Sequence, residues 1–126
     1  FGKRPSFVEI AHIDVNDITS TLTDTVSAYD ALLAMLNVHR ALAEEFQKKK
    51  SLVFFNGGDN FLAVSTGVTK QEYTEIIGRV SSSTGLGLKA GVGRAFSARE
   101  ALRLASAGLD EIREVETNGP VYVKSS

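Results

Sequence analysis

Polar and apolar positions alternate, then cycle, along the chain, and the changes of period divide it into eight elements. Residues Phe7 to Asp14 predict a strand, with Val8, Ile10 and His12 on one face and Phe7, Ala11 and Ile13 on the other. Apolar residues on both faces are expected of a strand covered on both sides. A polar stretch, Asn16 to Thr23, follows, and Thr21 with Asp24 has the spacing of a capping box. The helix it opens is predicted to run to about Lys50, with Val26, Tyr29, Leu33 and Leu36 on its apolar face and Lys48 to Lys50 at the negative end of its dipole. Two short apolar runs, Leu52 to Phe55 and Phe61 to Val64, flank Asn56-Gly57-Gly58-Asp59-Asn60, a hairpin signal because Gly and Asn tolerate positive φ.

Thr69 and Glu72 make a second capping box before a helix with Tyr73, Ile76, Ile77 and Val80 on one face, and Ser81 to Gly87 reads as a loop. Leu88, Ala90 and Val92 alternate with Lys89, Gly91 and Gly93, a strand with one tolerant face. Ser97 and Glu100 form a third box, opening a helix with Leu102, Ala105, Leu109 and Ile112 that ends near Glu114. Asn118-Gly119-Pro120 is a turn, and Val121 to Lys124 a last short strand.

The order β-α-β-β-α-β, then α-β, predicts an α+β fold: a ferredoxin-like split βαβ sandwich with an added C-terminal helix and strand. Right-handed crossovers favour an antiparallel sheet with the third strand between the first and second. No repeat, linker or low-complexity tract divides residues 1–126, so a single domain is expected.

Composition narrows the chemistry. The chain has 126 residues, 43% hydrophobic and 23% charged, the values of a folded domain. Lys plus Arg number 14 against 15 Asp plus Glu, a net charge of -1, which argues against nucleic-acid binding through bulk positive charge. No cysteine is present, which removes disulfides, thiolate metal sites and cysteine nucleophiles. His12 and His39 alone do not make a zinc site. No apolar run approaches the roughly 20 residues of a membrane span, and the first residues do not form a signal peptide. A soluble, cytoplasmic domain is expected, and a start at Phe1 rather than Met suggests a piece of a longer chain.

The predicted topology gathers polar residues at one end of the sheet. The first and second strands run the same way, so Asp14 at the end of one meets Asp59 in the turn after the other. Paired oxygen ligands at neighbouring strand ends suit Mg²⁺ acting on a nucleotide's phosphates. The first helix starts at the same edge, where free N–H groups receive anions, and Gly57 and Gly58 let a substrate approach the backbone. Lys89, at the start of the fourth strand, and Arg113, at the end of the last helix, fall at this edge; Arg79 either returns to it or faces solvent, and Arg94 lies at the far end. Each residue also has a plainer reading. Gly-Gly-Asp-Asn is a good turn by itself, Asp14 a cap, Arg113 a surface ion pair and Lys48 to Lys50 a solvated helix end. His12 shares the face of Asp14 and is a candidate base, although a strand histidine is more often packed and hydrogen-bonded.

Gly57-Gly58-Asp59-Asn60-Phe61 resembles, with one change, the GGDEF signature of diguanylate cyclases, and Ile13-Asp14 followed by the hairpin resembles the palm fold of nucleotidyl cyclases and polymerases. Ile10 to Asp14, Thr21 to Asp24 with Val26 to Asp30, Phe54 to Phe61, and Leu88 to Gly93 resemble the C-terminal half of archaeal GTP cyclohydrolase type III, a likeness running from about Phe7 to Arg113. The resemblance implies two tandem palm-like domains, of which this chain would be the second. It implies Mg²⁺-dependent opening of the imidazole ring of GTP to a formylaminopyrimidine nucleotide monophosphate, with release of phosphate, a step that feeds flavin and deazaflavin synthesis. It further implies that Asp14, Asp59 and the Val15 carbonyl hold Mg²⁺, and that Arg113 binds phosphate. Asn16, Asp17, Asp24 and Asp30 would then face the guanine, whose N1–H and amino group a carboxylate accepts together. Gly57, Gly58, Asn60 and Lys89 would also contact the nucleotide, but Asn60 stands where cyclases carry Glu, which argues against cyclic-nucleotide synthesis because an amide is neither a base nor a charged ligand. The alternative is an inactive nucleotide-binding or dimerisation module of the GGDEF-like class. A homodimer is expected, since a second copy can stand in for a second domain.

Overall fold

The computed structural model describes residues 7–16, 28–114 and 119–126. In chain order the elements are β1 (Val8–Val15), α1 (Ala28–Gln47), β2 (Leu52–Phe55), β3 (Asn60–Ser65), α2 (Lys70–Thr84), β4 (Leu88–Ala95), α3 (Ala98–Glu114) and β5 (Val121–Ser125). The strands form one sheet in the order β2-β3-β1-β4-β5, so β3 lies between β2 and β1 as the crossover rule requires. All pairs are antiparallel except β4 with β5.

Pleating sorts the residues of β1 to opposite faces. Ala11, Ile13 and Val15 join Phe61, Ala63, Ala90 and Val92 in the main core, closed by Met35, Val38, Leu42 and Phe46 of α1 and Tyr73, Ile76, Ile77 and Val80 of α2. On the other face Ile10 packs with Ala95 against Ala101, Leu104 and Ala105 of α3. That helix covers β1, β4 and β5. On the same face of β2 and β3, Leu52, Phe54 and Val64 are exposed.

Five expectations change. Helix α1 buries Met35, Val38, Leu42 and Phe46 rather than Tyr29, Leu33 and Leu36, which are 66%, 45% and 54% exposed. The helix carries apolar residues on two sides, and the periodicity alone did not say which side meets the sheet. It ends at Gln47, before the lysines, where Lys50 turns with φ 56°. Helix α2 continues through Ser81 to Thr84 and stops at Gly85, whose φ of 74° forms a left-handed cap. The face of β4 that carries Gly91 and Gly93 is closed, not tolerant. A Cβ at Gly91 would overlap the Ala105 carbonyl oxygen and the Leu109 nitrogen, and one at Gly93 would overlap the Ala101 carbonyl oxygen. The glycines let α3 lie directly on the sheet backbone. In α3 the buried stripe likewise runs through Ala101, Leu104, Ala105, Gly108, Leu109 and Ile112, leaving Leu102 exposed.

The capping boxes behave individually. Around Thr69 both bonds form: the Glu72 N–H donates to Thr69 Oγ1 and the Thr69 N–H to Glu72 Oε1. At Ser97 the hydroxyl accepts from the Glu100 N–H, while the Glu100 carboxylate pairs with Arg103. The box at Thr21 and Asp24 lies outside the described residues, as does Val26.

Candidate functional site

The candidate site occupies the sheet end where β1 finishes and β3 begins. Asp14 stands between Asn60 of β3 and Lys89 of β4, each directly opposite it in the ladders, so the three side chains leave the same face. The hairpin brings up the second carboxylate. Gly57 and Gly58 take φ of 96° and 57°, the Asn60 N–H donates to the Gly57 carbonyl, and the Val15 N–H donates to the Asp59 carbonyl at 2.9 Å. Asp59 is thereby fixed beside the end of β1. Arg113, in the last turn of α3, reaches back to Asp14 with an N···O distance of 3.1 Å, and also approaches Asp110 at 3.4 Å.

Two negative groups held together raise the cost of ionising either. Burial, then the charge of Asp14 and a hydrogen bond with its carboxyl, push the Asp59 carboxyl above its ordinary range, while its own backbone N–H and the charge of Arg113 pull the other way. Asp14 itself is buried, at 7% exposure.

Asn60 links this pair to the sheet interior. Its Nδ2 donates to Asp59 Oδ1 at 3.1 Å, and its Oδ1 lies 3.0 Å from His12 Nε2. His12 Nδ1 is 3.1 Å from Ser106 Oγ on α3. The ring placed among the candidate bases therefore has both nitrogens engaged.

Beside the carboxylates lies a cleft of about 370 Å³ lined by Asn16, Leu88, Lys89, Ile112, Arg113, Gly119 and Pro120. It combines two cations with the Asn16 Oδ1, which is buried and has no hydrogen-bond partner among the described residues. This cleft was not read from the sequence, because Gly119 and Pro120 reach it only through the parallel pairing of β5 with β4.

Of the remaining candidates, Asp30 lies exposed in the first turn of α1. Asp17 and Asp24 lie outside the described residues. Arg79 does not return to the site; it pairs with Glu45 across α1 and α2 at 3.0 Å. Lys49 is no freely solvated helix end, since its Nζ meets Glu72 Oε2 at 2.5 Å. Arg94, expected far away, closes a cluster at the opposite end of the sheet. There the buried Glu9 accepts from Arg94 Nε at 2.7 Å, Tyr73 Oη at 2.5 Å and the Val68 N–H at 3.2 Å. Those bonds satisfy Glu9 in place, and burial pushes the Tyr73 phenol far above its usual range.

The fold defines the class. A GGDEF domain of DgcB from Caulobacter crescentus, solved in complex with c-di-GMP, matches with a TM-score of 0.77 at 15% identity, over 96% of this chain and 70% of that one. A bacterial light-regulated adenylyl cyclase matches with a TM-score of 0.71 at 13% identity, over 96% and 43%. The chain thus has the palm-type α+β fold of these GGDEF and cyclase domains. Within that class the chain belongs to the GTP cyclohydrolase III family, whose model matches residues 3–126. GTP cyclohydrolase III of Methanocaldococcus jannaschii is 48% identical over 107 residues, 85% of this chain and 40% of the relative. Its namesake from Methanosphaera stadtmanae is 45% identical over 108 residues, 86% and 42%. The chain thus spans less than half the length of these curated relatives.

Proposed function

We propose that this domain binds GTP with Mg²⁺ and forms one of two palm domains of a GTP cyclohydrolase III, which opens the guanine imidazole ring to a formylaminopyrimidine nucleotide monophosphate and releases phosphate. The observation that carries the reading is the meeting of Asp14 and Asp59 beside Lys89 and Arg113 in a member of that family.

The residues fit the metal. Two carboxylates forced together favour a cation between them, and both they and the Val15 carbonyl offer hard oxygens. Among the described residues no group of three or more His, Cys, Asp or Glu gathers, and a site with two carboxylates suits an ion that keeps waters and takes phosphate oxygens. When bound, Mg²⁺ supplies charge neutralisation on the phosphates and polarises water. The chain's own residues do the rest. Lys89 and Arg113 receive phosphate oxygens in the cleft, with Arg113 exchanging its hold on Asp14 for a phosphate. Gly57 and Gly58 keep the hairpin backbone open to the nucleotide. Asn16 Oδ1, an acceptor, takes a ribose hydroxyl or a guanine N–H, which phosphate cannot offer. Asp17, Asp24 and Asp30 supply further acceptors toward the base.

Guanine is therefore expected to bind better than adenine. Adenine lacks the N1–H, and an acceptor left unpaired costs about 1–3 kcal/mol, roughly a 5- to 150-fold weaker complex. Calorimetry with Mg²⁺-GTP and Mg²⁺-ATP tests this, and equal dissociation constants would refute it. Chromatography of the products after incubation with Mg²⁺-GTP separates the chemistries: a formylaminopyrimidine nucleotide with phosphate supports this reading, and pyrophosphate with a cyclic product overturns it.

A further inference from the structure

We infer that His12 is a positioning residue for Asp59, acting through Asn60 and itself set by Ser106. The inference rests on the reading of Asp59 as a metal-site carboxylate and adds to it a line of hydrogen bonds running from α3 into the hairpin.

The direction of each bond follows from the one at its end. The carboxylate of Asp59 accepts, so the group 3.1 Å from its Oδ1 must be the Asn60 amide nitrogen. The Asn60 Oδ1 then faces His12 Nε2 at 3.0 Å and needs a donor, so the proton of the neutral ring sits on Nε2. That leaves Nδ1 as an acceptor, and the Ser106 hydroxyl at 3.1 Å donates to it. Each member has one orientation in which every bond is made. Reversing the amide of Asn60 would set its NH₂ against the Nε2–H and its oxygen against the carboxylate. The histidine thus selects the amide orientation that presents a donor to Asp59.

The backbone explains why Ser106 reaches so far. His12 lies directly opposite Gly91 in the ladder between β1 and β4, and Gly91 and Gly93 let α3 rest on the strand backbone. With side chains at those positions, α3 and its Ser106 would stand farther from the imidazole. The Gly-Val-Gly spacing of β4 therefore supports the metal end of the sheet without touching it.

The geometry also explains the Asn at the fourth position of the Gly-Gly-Asp-Asn turn. A carboxylate there would add a third negative charge to Asp14 and Asp59 and would offer Asp59 no N–H. The amide accepts from His12 and donates to Asp59 at once, and Asn60 is by this account a structural bridge rather than a ligand.

Groups that orient a metal's ligands commonly change affinity by about tenfold or more when removed. The test measures the Mg²⁺ concentration that half-saturates GTP binding to the chain carrying His12→Leu, His12→Gln, Ser106→Ala, Asp59→Asn or the pair His12→Leu with Asp59→Asn, with thermal melting of each. His12→Leu keeps the bulk and removes the bonds, and about a tenfold rise in the Mg²⁺ requirement is expected. His12→Gln, with an amide N–H aimed at Asn60, is expected to recover most of it, and Ser106→Ala to give a smaller rise. In the Asp59→Asn background His12→Leu should add almost nothing. An unchanged Mg²⁺ requirement in folded His12→Leu, or equal losses with Leu and Gln, overturns the inference. Should His12→Leu fail to fold, Ser106→Ala decides, and an unchanged requirement there has the same meaning. If Asp59→Asn itself leaves the requirement unchanged, the metal-site reading fails, a result distinct from the failure of His12 alone.

Discussion

Asp59 shows how a single side chain can serve a site at the expense of the fold. Its carboxyl is raised by burial and by Asp14, so the folded state holds the proton more tightly than the unfolded chain does. In the interval between the ordinary carboxylate value of 3.8 and the raised one, the native state binds more protons, and stability falls as pH climbs through it. Asp59→Asn removes that penalty. It is expected to melt about one or two degrees higher than the parent at pH 7, a small gain because the site is partly solvated, and the gap should close below the ordinary carboxylate range. Thermal melts at pH 3.5 and pH 7 check it; a variant less stable at pH 7 would mean that no strain between carboxylates exists. At this scale much was legible. Asp14, Asp59, Lys89 and Arg113 could be placed together because strand direction alone decides which end a residue occupies. Glu9 could not, because nothing in its spacing says that Arg94, Tyr73 and the Val68 N–H will surround it.

Among the elements, the starts of α2 and α3 and the hairpin followed from local chemistry, since caps and turns depend on bonds between residues three or four apart. Faces were harder. Helix α1 has apolar residues all along two sides, and only the sheet settles that Met35, Val38, Leu42 and Phe46 face inward. Gly91 and Gly93 are the clearest such case, where the missing side chains mark a close approach of α3 to the sheet backbone rather than a permissive face. Gly91→Ala forces a methyl into the backbone of α3 at Ala105 and Leu109. A loss of about 3 kcal/mol is expected, at the upper end of ordinary overpacking. Urea denaturation reads it as a lower midpoint at unchanged slope, and a loss under about 0.5 kcal/mol would show that α3 shifts away without cost.

For the whole molecule, the place of β3 between β2 and β1 followed from the βαββαβ sequence and handedness, whereas the parallel pairing of β5 with β4 and the apolar surface did not. Tyr29, Leu32, Leu33 and Leu36 on α1, and Leu52, Phe54 and Val64 on β2 and β3, are exposed on opposite sides of the sheet. Single exposed apolar residues are ordinary, but grouped ones favour association. Under the proposal that the domain works fully only beside a second palm domain, these surfaces are the ones left to associate. Light scattering at micromolar concentration is expected to show a homodimer, with turnover of GTP far below that of a full-length relative because an open palm edge leaves the base exposed to water. A monomer that matches the full-length rate would contradict this.

If Asp14 and Asp59 together make a Mg²⁺-dependent GTP site, calorimetric titration of GTP at rising Mg²⁺ will show it. The parent chain is expected to bind GTP more tightly as Mg²⁺ increases. Asp14→Asn and Asp59→Asn, both folded, are expected to lose most of that dependence while keeping the weak, metal-independent binding due to Lys89 and Arg113. Variants whose affinity climbs with Mg²⁺ as steeply as the parent's would contradict it.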